Sequence, residues 1–379
     1  MRGREAAPLS DLIAEAQRVL AICNACRYCE GYCAVFPALE RRLTFDTPDV
    51  HYLANLCHNC GACLYACQYA PPHEFAVNFP RLLAEVRGET YRTYAVPRAL
   101  GAAFEHNGAV ACIATLCGAV LVIALAVWQA GVPALFAAHR DDSGAFYALL
   151  PHGIMATMFG VAGVAVLLAL ALSYARFWRD TGERTRASLH PAAVAGATAD
   201  AATLRYLDGG GDGCTYPTAQ PSHARRNFHH LTFYGFLLCF AATVAGTFEH
   251  YVLGLAAPYP LLSVPVTLGV LGGIGLIVGP AGLLALAARR DPDLADPGQR
   301  AMERTFLWLL LTTSASGLAL LALRETPAMG VVLGAHLALV LALFATLPYG
   351  KLVHALYRFA ALVRYHLERR RPLPEQAAE

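Results

Sequence analysis

Charge is the scarcest property of this chain. Of its 379 residues only 15% are charged while 56% are hydrophobic, against roughly a quarter charged in an ordinary soluble domain. That shortfall excludes a freestanding globular protein and implies a membrane protein with a polar appendage. The opening MRGREAAPLSDLIAEAQRVLAIC lacks the uninterrupted apolar core of a secretory signal. It reads instead as an amphipathic helix, so the polar N-terminal part is expected to stay in the cytoplasm. There is no C-x-x-C-H, which excludes covalent haem attachment of the c type. Dinucleotide fingerprint and nucleophile elbow are both missing, so carbon chemistry is not expected in this chain. The net charge of +2 says little about partners, and no nucleic acid is expected among them.

Cysteine, by contrast, is concentrated. Eight of the twelve fall in two runs, each spaced C-x2-C-x2-C-x3-C: Cys23, Cys26, Cys29 and Cys33, then Cys57, Cys60, Cys63 and Cys67. This is the bacterial two-cluster ferredoxin spacing, in which three thiolates hold one cubane and the fourth crosses to the other. Two [4Fe–4S] clusters with exchanged fourth ligands are therefore expected, soft thiolates being suited to them. A disulfide framework would need an oxidising compartment, and zinc takes separated C-x2-C pairs rather than triple runs. The proline that usually follows the fourth cysteine is missing. Ala34 and Gln68 stand there, with Pro37 and Pro71 slightly later.

The expected fold is all-α, with a ferredoxin-like domain over residues 1–100 and a six-span bundle over 101–379. A helix start is expected at Asp46 or Thr47, with Pro48 just inside it. The six apolar stretches are approximately Ala109–Ala130, Leu149–Ala175, Leu231–Leu253, Leu261–Ala288, Phe306–Leu323 and Met329–Leu347, each near the roughly 20 residues that cross a bilayer. In the fourth, GVLGGIGLIVGPAG reads as a surface for close helix packing. The loops after spans one, three and five carry only Arg140 and Arg324. Those after spans two and four, with the tail, carry Arg176, Arg179, Arg184, Arg186, Arg205, Arg225, Arg226, Arg289, Arg290, Arg300, Arg304, Lys351, Arg358, Arg364 and Arg369 to Arg371. Both termini and the cluster domain are thus expected to face the cytoplasm. The loop 176–228 is too long for a passive connection. Its GGGDGC matches neither phosphate-binding pattern, and a cover over the clusters or over a partner is expected.

Ionisable residues at membrane depth are costly, so the histidines matter. His336 and His354, eighteen residues apart, would share one face of a single helix about 27 Å apart. On the third span His229 and His250 lie about 60° apart around the axis, closer than His230 and His250 at about 160°. Pairing His229 with His354 and His250 with His336 would suit bis-histidine b-type haem, one or two groups, imidazole being a suitable iron ligand. His106, His152 and His230 are alternative ligands.

The runs ICNACRYCEGYCAVFPALERR and NLCHNCGACLYACQYAPPHEFAVNFP, the loop GGGDGCTYP with RRNFHHLTFYGFLLCF, and PYGKLVHALYRF together resemble the tricarballylate-utilisation protein B (CitB-type) family over nearly the whole chain. The resemblance implies an inner-membrane protein carrying iron–sulfur clusters and b-type haem. Such a protein reoxidises the FADH2 of a soluble, TcuA-like dehydrogenase and delivers electrons to the quinone pool. The six-span part also looks like the cytochrome b subunits of respiratory nitrate reductase. The membrane subunit of a heterodisulfide- or fumarate-reductase-like complex, and a membrane-anchored iron–sulfur redox sensor, are the competing readings.

Overall fold

The computed structural model describes residues 9–139, 144–182 and 190–372. Its architecture is all-α, apart from one antiparallel pair of two-residue strands. The polar part comprises α1 (Leu9–Cys26), α2 (Val35–Leu39), α3 (Thr47–Leu56), α4 (Ala62–Tyr65) and α5 (Phe79–Tyr94). Ile13, Ala16, Val19 and Leu20 form the apolar stripe by which α1 enters the core. The start of α3 is fixed where the capping signal places it. Asp46 Oδ1 accepts from the Asp49 N–H at 2.8 Å and Pro48 occupies the first turn, a position where its missing N–H costs nothing.

After α6 (Arg98–Ala103) come the six long apolar helices: α7 (Asn107–Ala130), then, past the short α8 (Ala145–Leu149), α9 (His152–Thr181), α11 (Ala224–Leu253), α12 (Val264–Ala288), α13 (Gln299–Leu323) and α14 (Met329–Thr346). Each is long and apolar enough to cross a bilayer, so the protein is a multi-pass membrane protein. The glycines of the fourth span are packing glycines. A Cβ on Gly272 would lie 2.8 Å from the Cys239 backbone N, and one on Gly235 would lie 3.0 Å from Gly272 O. Helices α11 and α12 therefore touch backbone to backbone, as small residues permit in lipid.

Two elements differ from the sequence expectation. The connection expected at 176–228 is narrowed from both sides, since α9 runs to Thr181 and α11 begins at Ala224. Within it, α10 (Pro191–Ala202) buries Ala193 and Ala197 in the same core as Ala361 and Leu362, and β1 (Cys214–Thr215) pairs with β2 (Pro221–Ser222). Arg140, Arg184 and Arg186, which contribute to the charge asymmetry, lie outside the described residues.

The second difference concerns the last span. His336 and His354 do not share a helix: α14 stops at Thr346 and α15 (Val353–Glu368) starts afresh. Pro348 lacks the N–H needed to continue the ladder and its ring crowds the preceding turn. The chain turns instead, with Gly350 N–H donating to Thr346 O at 2.8 Å.

Helix α15 is the tie between the two parts. Its Arg364 donates to Asp49 at 2.8 Å and to Glu368 at 2.9 Å, Arg42 donates to Asp49 at 2.7 Å and to Glu368, and Tyr52 Oη donates to Glu368 at 3.1 Å. Both guanidinium groups also lie over the Tyr52 ring, at 4.9 and 4.2 Å.

Candidate metal centres

The eight clustered cysteines are free thiols held on the ends of short helices and the turns between them. Their electrostatic neighbourhoods sort them into two crossed sets. Cys23 is influenced by Cys67, Cys29 and Cys26, and Cys29 by Cys67 and Cys26 before Cys60. Cys33 is influenced by Cys60 and Cys57, and Cys63 by Cys60, Cys57 and Cys33 before Cys29. Thus Cys67 lies with the first run and Cys33 with the second. A recess lined by Cys23, Cys26, Cys29, Cys63 and Cys67 opens beside Ile22, Tyr28 and Phe36.

Ala34 stands where the proline would follow the fourth cysteine. Ala34 caps α2, and the N–H groups of Val35 and Phe36 point at the Cys33 sulfur. Burial, reinforced by the neighbouring thiols, raises Cys23 and Cys29 to about 12 and Cys33 and Cys63 well above the thiol range. Thiols that resist ionisation next to one another become thiolates when a cationic centre is placed among them, and a four-iron cluster supplies such a centre. Among the described residues no three His, Cys, Asp or Glu side chains converge to hold a single metal ion. A cubane spreads its thiolates over a larger body.

Around the second run the structure places groups that the sequence reading did not select. Cys214 is fully buried and packs in one cluster with Cys60, and the neighbouring Cys214 thiol brings Cys60 down to about 7. Its only sequence signal is that, alone among the four scattered cysteines, it stands in a polar glycine loop. That loop rests directly on the run. Gly61 has φ +86°, and a Cβ there would meet Thr215 O at 2.4 Å, so only glycine fits. Arg87 Nη1 and Arg358 Nη2 both donate to Cys57 O, at 2.8 and 2.9 Å, and Arg225 Nη1 donates to Asn59 O at 2.5 Å.

Four residues before Arg358 on α15 stands His354. Its ring centroid is 6.1 Å from that of His229, with the planes at 78°. An iron between two facing imidazole nitrogens, each bond about 2.0–2.1 Å, requires centroids about 6 Å apart. His354 Nδ1 faces Lys351 O, and burial holds His354 well below the usual imidazole range, hence neutral. His229 Nδ1 and His230 Nε2 are buried without a hydrogen-bond partner. The residues at this level fit a bis-histidine iron.

At the other end of the spans the arrangement is different. His250 stacks on His152 with centroids 3.7 Å apart and planes at 20°, too close for a metal between the rings. His336 Nδ1 lies 3.0 Å from Ser316 Oγ on α13. The structure thus shows no ring contact between His250 and His336, while His106 is exposed at the start of α7.

Residues 106–375 match the family described as citrate utilization protein B, and residues 16–93 match its Fer4-like domain. The chain is 51% identical over 368 residues to the citrate utilization protein B of Escherichia coli, covering 97% of this chain and 95% of that one. No solved structure matches it. The Fer4-like domain and the six apolar helices support an iron–sulfur electron-transfer role at a membrane. At this identity and coverage the chain belongs to the citrate utilization protein B family.

Proposed function

We propose that the protein takes electrons from the reduced FAD of a soluble partner dehydrogenase and passes them through two [4Fe–4S] clusters and one b-type haem to membrane quinone. The sorting of the eight thiols into two crossed sets carries this reading, because two adjoining cubanes form a relay. When bound, the clusters and haem supply one-electron carriers able to divide the two electrons of a flavin.

The protein's own residues supply the order. Cys23, Cys26, Cys29 and Cys67 hold the entry position, where Cys26 and Cys29 are partly exposed beside Tyr28, exposed at 68%. Cys33, Cys57, Cys60 and Cys63 hold the inner position under the Cys214 loop. Arg358 then spans from Cys57 O to the helical turn carrying His354, and His354 with His229 would hold a haem, supplying a one-electron carrier at the same end of the bundle. The contact of His354 Nδ1 with Lys351 O fixes the tautomer and leaves Nε2 free to ligate. The cationic loops support a cytoplasmic position for this end, and the family likeness suggests a bacterial inner membrane. The partner oxidises a tricarballylate- or citrate-like acid, a class suggested by the family likeness and by the name of the E. coli relative.

The test is the dithionite-reduced-minus-oxidised visible spectrum of the purified protein, with pyridine-haemochrome quantitation. The wild type is expected to carry one b-type haem. His354→Ala and His229→Ala are each expected to lose it while keeping iron–sulfur absorption. Haem that survives both substitutions, or is missing from the wild type, overturns the assignment.

A further inference from the structure

Three arginines lie against the second cysteine run without an ion-pair partner among the described residues, Arg87 buried and Arg358 and Arg225 part-buried. Arg87 is 5% exposed. Its Nη1 is used on Cys57 O, while Nε and Nη2 are buried with no partner. Arg358 shares the same carbonyl through Nη2, and its Nε is likewise buried and unpartnered. Arg225 bonds the adjacent Asn59 O and lies 4.4 Å over the Tyr216 ring. Among the described residues none of the three has a carboxylate within ion-pair distance.

Buried charges are ordinarily paired or associated with metal centres. Here the sulfurs are among the nearby acidic groups, alongside Tyr91 near Arg358 and Glu303, on which Arg225 also acts. The Cys57 thiolate acts on Arg358, and Arg225 acts on Cys60. The guanidinium groups crowd one another, burial and Arg87 bringing Arg358 down to about 10. The first set has no such surroundings. The leading influences on Cys23 and Cys29, beyond burial, are other thiols, and Arg27, within that run, is exposed and donates to Asn24 O.

We infer that Arg87 and Arg358, assisted by Arg225, hold the group bound by Cys33, Cys57, Cys60 and Cys63 at a higher reduction potential than the group bound by Cys23, Cys26, Cys29 and Cys67, and so fix the direction of transfer. This rests on the two-cluster reading proposed above. Adding an electron makes a thiolate-bound cluster more negative, and fixed cations in a low-dielectric site stabilise that added charge. The transfer moves one electron from the first position, which is oxidised, to the second, which is reduced. No bond forms or breaks, and the electron originates in the reduced flavin. Arg358 is a positioning residue by the same geometry, since it joins Cys57 O to the turn of α15 that carries His354.

The experiment is a potentiometric titration of the purified, cluster-loaded full chain followed by electron paramagnetic resonance, with Cys33→Ser identifying the second-set signal. In the wild type that signal is expected at the higher potential. Arg358→Gln and, independently, Arg87→Gln are expected to lower it at least tenfold in the reduction equilibrium, 59 mV for one electron, with the first-set signal unmoved. Arg358→Lys is expected to restore it. If Arg358→Gln does not assemble, Arg87→Gln decides alone. Equal wild-type potentials, shifts of both signals together, no shift, or a lysine variant as low as the glutamine variant would overturn the inference. A wild type with one cluster signal or none would instead refute the two-cluster reading.

Discussion

Substituting Cys67 by serine is expected to remove the cluster held by the opposite run of cysteines. Cys67 belongs in sequence to the second run, yet it is the foremost thiol neighbour acting on both Cys23 and Cys29. Serine offers a hard oxygen in place of a soft thiolate. The first set then has three ligands, and its cluster is lost or left labile. Acid-labile sulfide should fall by half, iron by slightly less because the haem iron remains, and electron delivery to background, while the signal depending on Cys57 persists. Cys33→Ser should do the converse, erasing the signal of the second run and sparing that of the first. Metal analysis with electron paramagnetic resonance distinguishes the two. If Cys67→Ser and Cys57→Ser erase the same signal, each run holds its own cluster and the crossed arrangement is wrong.

The second large effect is structural. Glu368 is the acceptor on which Arg42, Arg364 and Tyr52 converge, and its side chain is only 9% exposed, that of Arg42 8%. Glu368→Ala leaves both guanidinium groups with Asp49 as their shared carboxylate, besides the backbone acceptors Ala38 O and Thr181 O. Removing one partner of a buried ion pair costs about 3–5 kcal/mol, because the remaining charge stays buried without compensation. The damage falls on the contact between α15 and the polar part, since Arg42, Asp49 and Tyr52 lie on one side of it and Arg364 and Glu368 on the other. The midpoint for denaturant-induced bleaching of the iron–sulfur absorption should drop accordingly. Glu368→Gln, which keeps an acceptor, should cost less. A change under about 1 kcal/mol would mean that the network is peripheral, as exposed pairs are.

These consequences differ in how far they could be read before the fold was known. The proposed crossed sorting of cysteines was legible as the two-cluster ferredoxin spacing, in which the fourth thiolate of each run goes to the other cluster. The six long helices follow from hydropathy, and the start of α3 from Asp46 and Pro48. Contacts that join distant segments leave no such periodic trace. Cys214 reaches Cys60 only because the glycine loop folds back on Gly61. Arg87, Arg225 and Arg358 come from three separate helices, and nothing in their local sequence distinguishes them from surface arginines. The break between α14 and α15 is a different failure. Pro348 and Gly350 were visible, but the even spacing of His336 and His354 suggested a continuous helix running through them. With the break, the two histidines part company. His336 turns to Ser316, and His354 joins the structure that carries the cysteines.

The most direct measurement of the account is multiple-turnover quinone reduction by the purified protein in proteoliposomes, supplied with a chemically reduced flavoprotein dehydrogenase and an excess of quinone. Sustained reduction of many quinones per protein, lost in Cys67→Ser and in Cys33→Ser, is the predicted result. Reduction of the clusters once, with no electrons reaching quinone, would contradict the relay and leave a sensor in its place.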